Sequence, residues 1–281
     1  MQLTKDQTHQ FREDGYIWFE DFFTQRETKA LRVELGRIYD IELKKGTGIN
    51  CAVQEDGTKR NNDGERQNLQ VIPLLNRSDF HKGLPFHPKV LSIVEQLIGD
   101  SFILELDQAF WKPPKKGVGT SWHQDNAYFK IADPLRGTAM WIAIHDANTE
   151  NGCLHVIPGS HREMYEHYHD PLSDHHIRCD PPEDRAVAVE LKAGGVIFFC
   201  FGVAHCTKAN LSDRARAGVA LHFLHNDYGG LELWEGNKET KPMLRGPLAT
   251  GGEAEFGRRF EGRWDRLVDT VLASENNAEG T

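Results

Sequence analysis

The chain has 281 residues, 39% of them hydrophobic and 27% charged, enough apolar material for one large domain with a sizeable core. A formal charge of −9 and a sequence pI of about 5.9 argue against a nucleic-acid binder or a protein of anionic membrane surfaces, and point to a small-molecule partner. Five cysteines without a C-x-x-C pair read as reduced thiols, no apolar run approaches membrane-span length, and the N-terminus lacks a signal peptide, so the cytoplasm is the expected compartment. Nothing in the sequence sets the oligomeric state.

Thr4-x-x-Gln7 and Thr24-x-x-Glu27 have the form of capping boxes and predict two helices, the second running from about Gln25 to about Leu43. Between them Tyr16-Ile17-Trp18-Phe19 follows Asp14-Gly15 and predicts a strand entered by a turn. Residues 45–66, rich in Gly, Asn, Asp and Lys, read as a mobile loop with no buried residue. Pro88 to Leu97 is a short amphipathic helix stopped by Gly99, and Phe102 to Trp111 is strand-like up to Pro113-Pro114.

From there to Asn226, short apolar runs are separated by turn residues. Gly137 to Ala147, Cys153 to Ile157, Ala186 to Leu191, Gly195 to Phe201 and Ala217 to His225 are strand candidates, with a hairpin signal at Asn148 to Gly152. Many short strands after a few helices predict a mostly β protein with flanking helices, built as a jelly roll or cupin-like barrel with a ligand cavity at its mouth. The segment 163–184 holds His167, His169, His175 and His176. It reads as a second metal site or as a solvated surface loop, and its place between strands makes it a candidate lid. An amphipathic helix is expected over 252–273, around Phe256, Phe260, Trp264, Leu267 and Val271, followed by a disordered tail from Glu275. The whole of 1–281 is thus expected to form one domain: a mainly helical part to 100, a barrel core over 101–226 and a C-terminal extension over 227–281.

In Ser121-Trp122-His123-Gln124-Asp125, His123 and Asp125 are two apart, so on an extended strand both fall on one face. A second imidazole would complete the two-His, one-carboxylate set of non-haem Fe(II) oxygenases. The apolar run Gly195 to Phe201 delivers His205 at its end, either as a satisfied core residue or as a group aimed into a cavity. Eleven residues on, Arg216 opens the next strand; a guanidinium there suits two-point capture of a carboxylate, with a hydrogen bond from Thr207, and predicts an anionic cosubstrate.

With Lys112-Pro113-Pro114 before it and Tyr128-Phe129 after it, this set resembles the phytanoyl-CoA dioxygenase family, as do Asn151-Gly152-Cys153-Leu154, Ile157-Pro158-Gly159-Ser160-His161 and Phe11-x-x-Asp14-Gly15-Tyr16. The likeness covers about residues 5–226. It implies a double-stranded β-helix and an Fe(II)- and 2-oxoglutarate-dependent dioxygenase that consumes O2, releases succinate and CO2, and hydroxylates an unactivated C–H bond of a small metabolite. It also implies His123, Asp125 and His205 as iron ligands, with Arg216, Thr207 and Trp141 on the cosubstrate. Halogenating relatives replace the metal carboxylate with a small residue, so Asp125 argues for hydroxylation. Gln124 faces away from the ligands and is given no catalytic role. Trp111, Tyr128, Phe129 and Phe201 are candidates for the substrate side, each also readable as barrel core. Two other readings stand beside this one: a cupin-type isomerase or ring-cleaving dioxygenase without 2-oxoglutarate, and a non-catalytic binding protein on the same barrel.

Overall fold

Both capping boxes form. Thr4 and Gln7 satisfy each other's backbone N–H groups at 3.1 and 2.9 Å, starting the helix Lys5–Asp14, and Gly15 ends it at φ +84°. Thr24 and Glu27 do the same for the helix Gln25–Lys44. The structure, a computed structural model, describes residues 1–45, 49–58 and 62–279, with side chains described as far as 275. Glu27 also accepts from Trp264 Nε1 at 2.6 Å and stands 3.0 Å from His87 Nε2, so one carboxylate joins three helices: Gln25–Lys44, Pro88–Ile98 and Trp264–Glu279. Burial pushes this carboxyl up, but the bonds from His87, Thr24 and Trp264 outweigh it and hold the pKa down at about 2.

The barrel is a jelly roll of two antiparallel sheets. The larger runs, in spatial order, Tyr16–Phe19, Val196–Cys200, Gly137–Ala143, Arg216–His225, Phe102–Lys112 and Met243–Arg245, with Leu69–Val71 also paired to Phe102–Lys112. The smaller runs Thr120–His123, His205–Thr207, Leu154–Val156 and Val187–Val189. Helices cover the outer face of the larger sheet, and one apolar cluster joins them to it through residues such as Leu31, Leu35, Val94, Phe198 and Val268. Three sheet strands come from outside 101–226: Tyr16–Phe19, Leu69–Val71 and Met243–Arg245. Among the described residues no helix is long and apolar enough to cross a membrane.

Several boundaries differ from those expected. Residues 45–66 are not free of burial: Asn50, Cys51 and Ala52 are buried, because the Asn50 side chain accepts from the amides of Ala52 and Asn68 and donates to the Arg66 carbonyl. Residues 46–48 and 59–61 of that stretch lie outside the described residues. The helix expected over 252–273 is split into Glu253–Phe256 and Trp264–Glu279, since Gly257 and Gly262 lie between them at φ +69° and +78°. The second of these helices continues past Glu275, whose carboxylate meets Lys29 Nζ at 2.7 Å, so the expected disordered tail is helical to Glu279; Gly280 and Thr281 lie outside the described residues. Segment 163–184 contains a small hairpin, Tyr168–His169 with Ile177–Arg178.

Candidate active site and metal centre

The ladder between the two short strands Thr120–His123 and His205–Thr207 puts His205 directly opposite His123. Sequence reasoning placed Asp125 on the same extended strand as His123; the strand in fact stops at His123, and Asp125 reaches the imidazoles through helical backbone (φ −57°, ψ −31°) at the start of Asn126–Phe129. Asp125 Oδ1 stands 3.7 Å from Nε2 of both His123 and His205, and one ligand atom from each residue lies within 4.8 Å of the others. Among the described residues this is the one such group, and it includes none of the histidines of 163–184.

The chemistry of the donor set fits a metal. His123 Nδ1 lies 2.8 Å from the Ser121 carbonyl and His205 Nδ1 2.9 Å from that of Val203, so each Nδ1 carries the proton and each Nε2 presents a lone pair. Burial lowers the pKa of both rings, His123 to about 3, which keeps them neutral. Burial alone would raise Asp125; the facing His205 and His222 outweigh it and hold the carboxylate ionised. An anion thus faces two imidazole lone pairs with no proton between them.

The three residues open onto a cavity of about 280 Å³ between the sheets. Arg216 and Trp141 share it, with the guanidinium 5.4 Å from the indole centroid. Gly218 makes that contact possible, because a Cβ there would lie 2.4 Å from the Trp141 ring. Arg216 is 1% exposed, donates to the Gly152 carbonyl, and keeps a buried Nε without a partner. Burial pulls its pKa down to about 10, and among the described residues no carboxylate pairs with it, so a carboxylate ligand fits the vacancy in its bonding. Thr207 lines the same cavity and accepts from Lys112 and from the Thr120 amide.

Tyr128 and Phe129 line the cavity, and Tyr128 Oη accepts from the Ile177 amide of the hairpin at 2.9 Å. Trp111 does not line it. Leu106 and Phe110, an even number of residues apart, face the cavity, so Trp111 faces outward and packs against Tyr39 and His145. Phe201 also lies outside the lining; it stacks behind Phe129 at 4.5 Å, and Phe199 takes the wall position. Lining residues not anticipated from the sequence include Gln70, Gln108 and His222, and His175 and His176 of the segment read as a candidate lid line the cavity as well. Of these, His222 stands 3.3 Å from Asp125 Oδ2. Strand alternation from Arg216 through Gly218 and Ala220 would have pointed to it, as alternation from Phe110 would have pointed to Gln108.

A jelly roll with an open two-histidine, one-carboxylate group and a buried arginine in one cavity defines a class of iron oxygenase. The model of the phytanoyl-CoA dioxygenase family matches residues 11–218, and the chain belongs to that family. It is therefore an iron-binding oxidoreductase, an Fe(II)- and 2-oxoglutarate-dependent dioxygenase. The chain is 28% identical to phytanoyl-CoA dioxygenase domain-containing protein 1 of Rattus norvegicus, over 79% of this chain and 90% of that protein. It is 26% identical to ectoine dioxygenase of Bordetella bronchiseptica, over 78% and 74%. Among solved structures, the carbocyclase SnoK from nogalamycin biosynthesis superposes with a TM-score of 0.64 at 23% identity, covering 79% of this chain and 84% of that one. EctD from S. alaskensis, with 2-oxoglutarate and 5-hydroxyectoine, gives 0.63 at 23%, covering 80% and 77%.

Proposed function

We propose that the protein hydroxylates an unactivated C–H bond of a small, uncharged or amphipathic metabolite, with succinate and CO2 as co-products. The observation that carries this is the joint presence, on one cavity, of His123, Asp125 and His205 with a buried, uncompensated Arg216. His123, Asp125 and His205 would hold iron, the metal that takes up the cosubstrate and O2. Arg216, with Thr207 and Trp141, takes the distal carboxylate of 2-oxoglutarate. Bound iron, 2-oxoglutarate and O2 together supply an oxidant for a C–H bond. The protein's part is to orient the target carbon and exclude water, which Phe110, Phe129 and Ile72 do from the cavity wall.

Among the lining residues only Asp125 and Arg216 carry a permanent charge, which supports a substrate whose bound part is neutral rather than a CoA thioester. The five cysteines are buried thiols, which suits a reducing compartment, and we place the protein in the cytoplasm, acting as a single domain without nucleic-acid or membrane partners.

The test is an anaerobic titration of apo protein with Fe(II) and then 2-oxoglutarate. A weak visible charge-transfer band is expected in wild type and not in Arg216→Ala. Iron binding without a band would favour a cupin-type enzyme that does not use 2-oxoglutarate. A screen by succinate release then finds the substrate, and turnover of acyl-CoA esters with none of small metabolites would overturn the substrate class.

A further inference from the structure

The strand Thr120–His123 is an edge of the smaller sheet, and beside it lies a second hollow, of about 290 Å³. The catalytic cavity has an apolar mouth, since Ile72 and Tyr128 line it and are both exposed. The second hollow is polar. Arg66, Arg178 and Lys208 line it against Asp170 and Glu183. Asp180 holds Arg178 at 2.9 Å and Glu183 holds Lys208 at 3.2 Å. Arg66 gives its Nε to the Val53 carbonyl and, among the described residues, has no carboxylate partner. A chain of formal charge −9 therefore keeps an uncompensated cation in this hollow, whose rim residues Leu172 and Lys208 are exposed to solvent.

The inner end of the hollow meets the catalytic cavity, because Thr120, His176, Cys206 and Thr207 line both. Cys206 and Thr207 belong to a strand paired on either side, so no path crosses there. Thr120 stands on the edge strand, and His176 on the segment that lies along it and binds it through the Cys179 amide on the Trp122 carbonyl at 2.8 Å. The two hollows are thus parted at this edge by two side chains, which a change of rotamer moves and a sheet ladder does not. Asn68, 2% exposed, donates to Thr120 Oγ1 at 3.3 Å and keeps its buried Oδ1 without a partner, so the gap is lined for polar traffic. Thr207 was set beside Arg216 above, so the hollow joins the cavity at its cosubstrate end. Tyr128, at the apolar mouth, has its ring 6.3 Å from that of His123, so the mouth opens toward the metal group.

We propose that this hollow is a side port for dicarboxylates: 2-oxoglutarate enters and succinate leaves between Thr120 and His176, and the apolar mouth is left to the substrate. Succinate then need not wait for the hydroxylated product to go. This rests on the 2-oxoglutarate reading of the cavity. A port sets the height of a barrier and not the energy of the bound state, so obstructing it slows entry and exit by one factor and leaves the dissociation constant where it was.

The experiment is anaerobic stopped flow on the Fe(II)-loaded protein, following the charge-transfer band as it rises on mixing with 2-oxoglutarate and decays on dilution. Ala209→Trp, in the wall of the hollow, should slow both rates about tenfold with the dissociation constant unchanged. Ile72→Trp, at the apolar mouth, should leave both rates as in wild type. Arg66→Gln should slow association about two- to threefold at low ionic strength, and the difference should vanish at high salt. Wild-type rates in Ala209→Trp, or an equal slowing in Ile72→Trp, overturn the port. A raised dissociation constant at an unchanged association rate in Ala209→Trp places its effect on the bound cosubstrate and also overturns it. If Ala209→Trp does not fold, Arg66→Gln decides, and association equal to wild type at low ionic strength overturns the port. Failure of the wild type to give the band would instead strike the 2-oxoglutarate reading itself.

Discussion

Among the described residues Asp125 is the one carboxylate grouped with His123 and His205, so its loss would leave the proposed metal set with two imidazoles and no charged member. Asp125→Ala is expected to abolish turnover and to weaken Fe(II) binding by roughly a hundredfold or more, measured by metal titration. Retained activity would refute the carboxylate assignment. Arg216→Lys keeps the charge and gives up the planar fork, so 2-oxoglutarate binding should weaken by about 1.5–3 kcal/mol with iron affinity unchanged. Equal losses of both would indicate misfolding. These four residues were legible because their types are rare in a barrel interior without a ligand. Gln108 and His222 were not picked out, although strand alternation places them on the same inner face. Trp111 and Phe201 were assigned by aromatic type, and the parity of Trp111 and the end of the strand before Phe201 turn them elsewhere.

The capping box of the helix Gln25–Lys44 was legible in Thr24-x-x-Glu27, but the further duty of Glu27 was not. Its partners His87 and Trp264 lie 60 and 237 residues away, beyond any local pattern. Glu27→Ala removes a cap and leaves two buried donors unmet, an expected cost of about 2–4 kcal/mol, visible as a lower melting temperature. Glu27→Gln keeps the shape and should cost less. The pH dependence follows from the lowered carboxyl. Its folded pKa of about 2 lies below the ordinary value of 4.5, so the stability it confers is present in full above pH 4.5 and is lost as pH falls toward 2. Wild type should therefore lose melting temperature more steeply between pH 4.5 and 2 than Glu27→Gln does. Parallel curves would show that the carboxylate is not held in this network. The C-terminal helix was legible in its apolar spacing, but its start was misplaced because Phe256 and Phe260 continue the period through glycines that break the backbone.

At the scale of the molecule, the jelly roll follows from strand and turn signals, whereas the wall over the site does not, because two polar stretches build it together. Leu172 accepts from the Val53 amide at 3.0 Å, Cys51 accepts from the Asp174 amide at 3.0 Å, and Ala52 bridges Ser173, across about 120 residues of chain. The 163–184 segment is held from beneath as well. Gln124, fully buried, donates to the carbonyls of Glu163 and Gly202 and accepts from the Tyr165 amide, so the residue between the two proposed ligands anchors the start of this segment. The third hold is the Ile177 amide on Tyr128 Oη. Tyr128→Phe removes only this last bond, worth about 1 kcal/mol, so hydrogen exchange at Ile177 should quicken about fivefold while Asp174, held by Cys51, keeps its rate. Iron and 2-oxoglutarate binding should be unchanged, since neither proposed ligand set includes Tyr128. With water admitted to the cavity, less product should form per succinate released once a substrate is known. Unchanged exchange at Ile177 would mean that the bonds to Cys51 and Gln124 hold the segment in place without the tyrosine. Quickened exchange at both Ile177 and Asp174 would mean that the two stretches open as one unit, with the tyrosine as its latch.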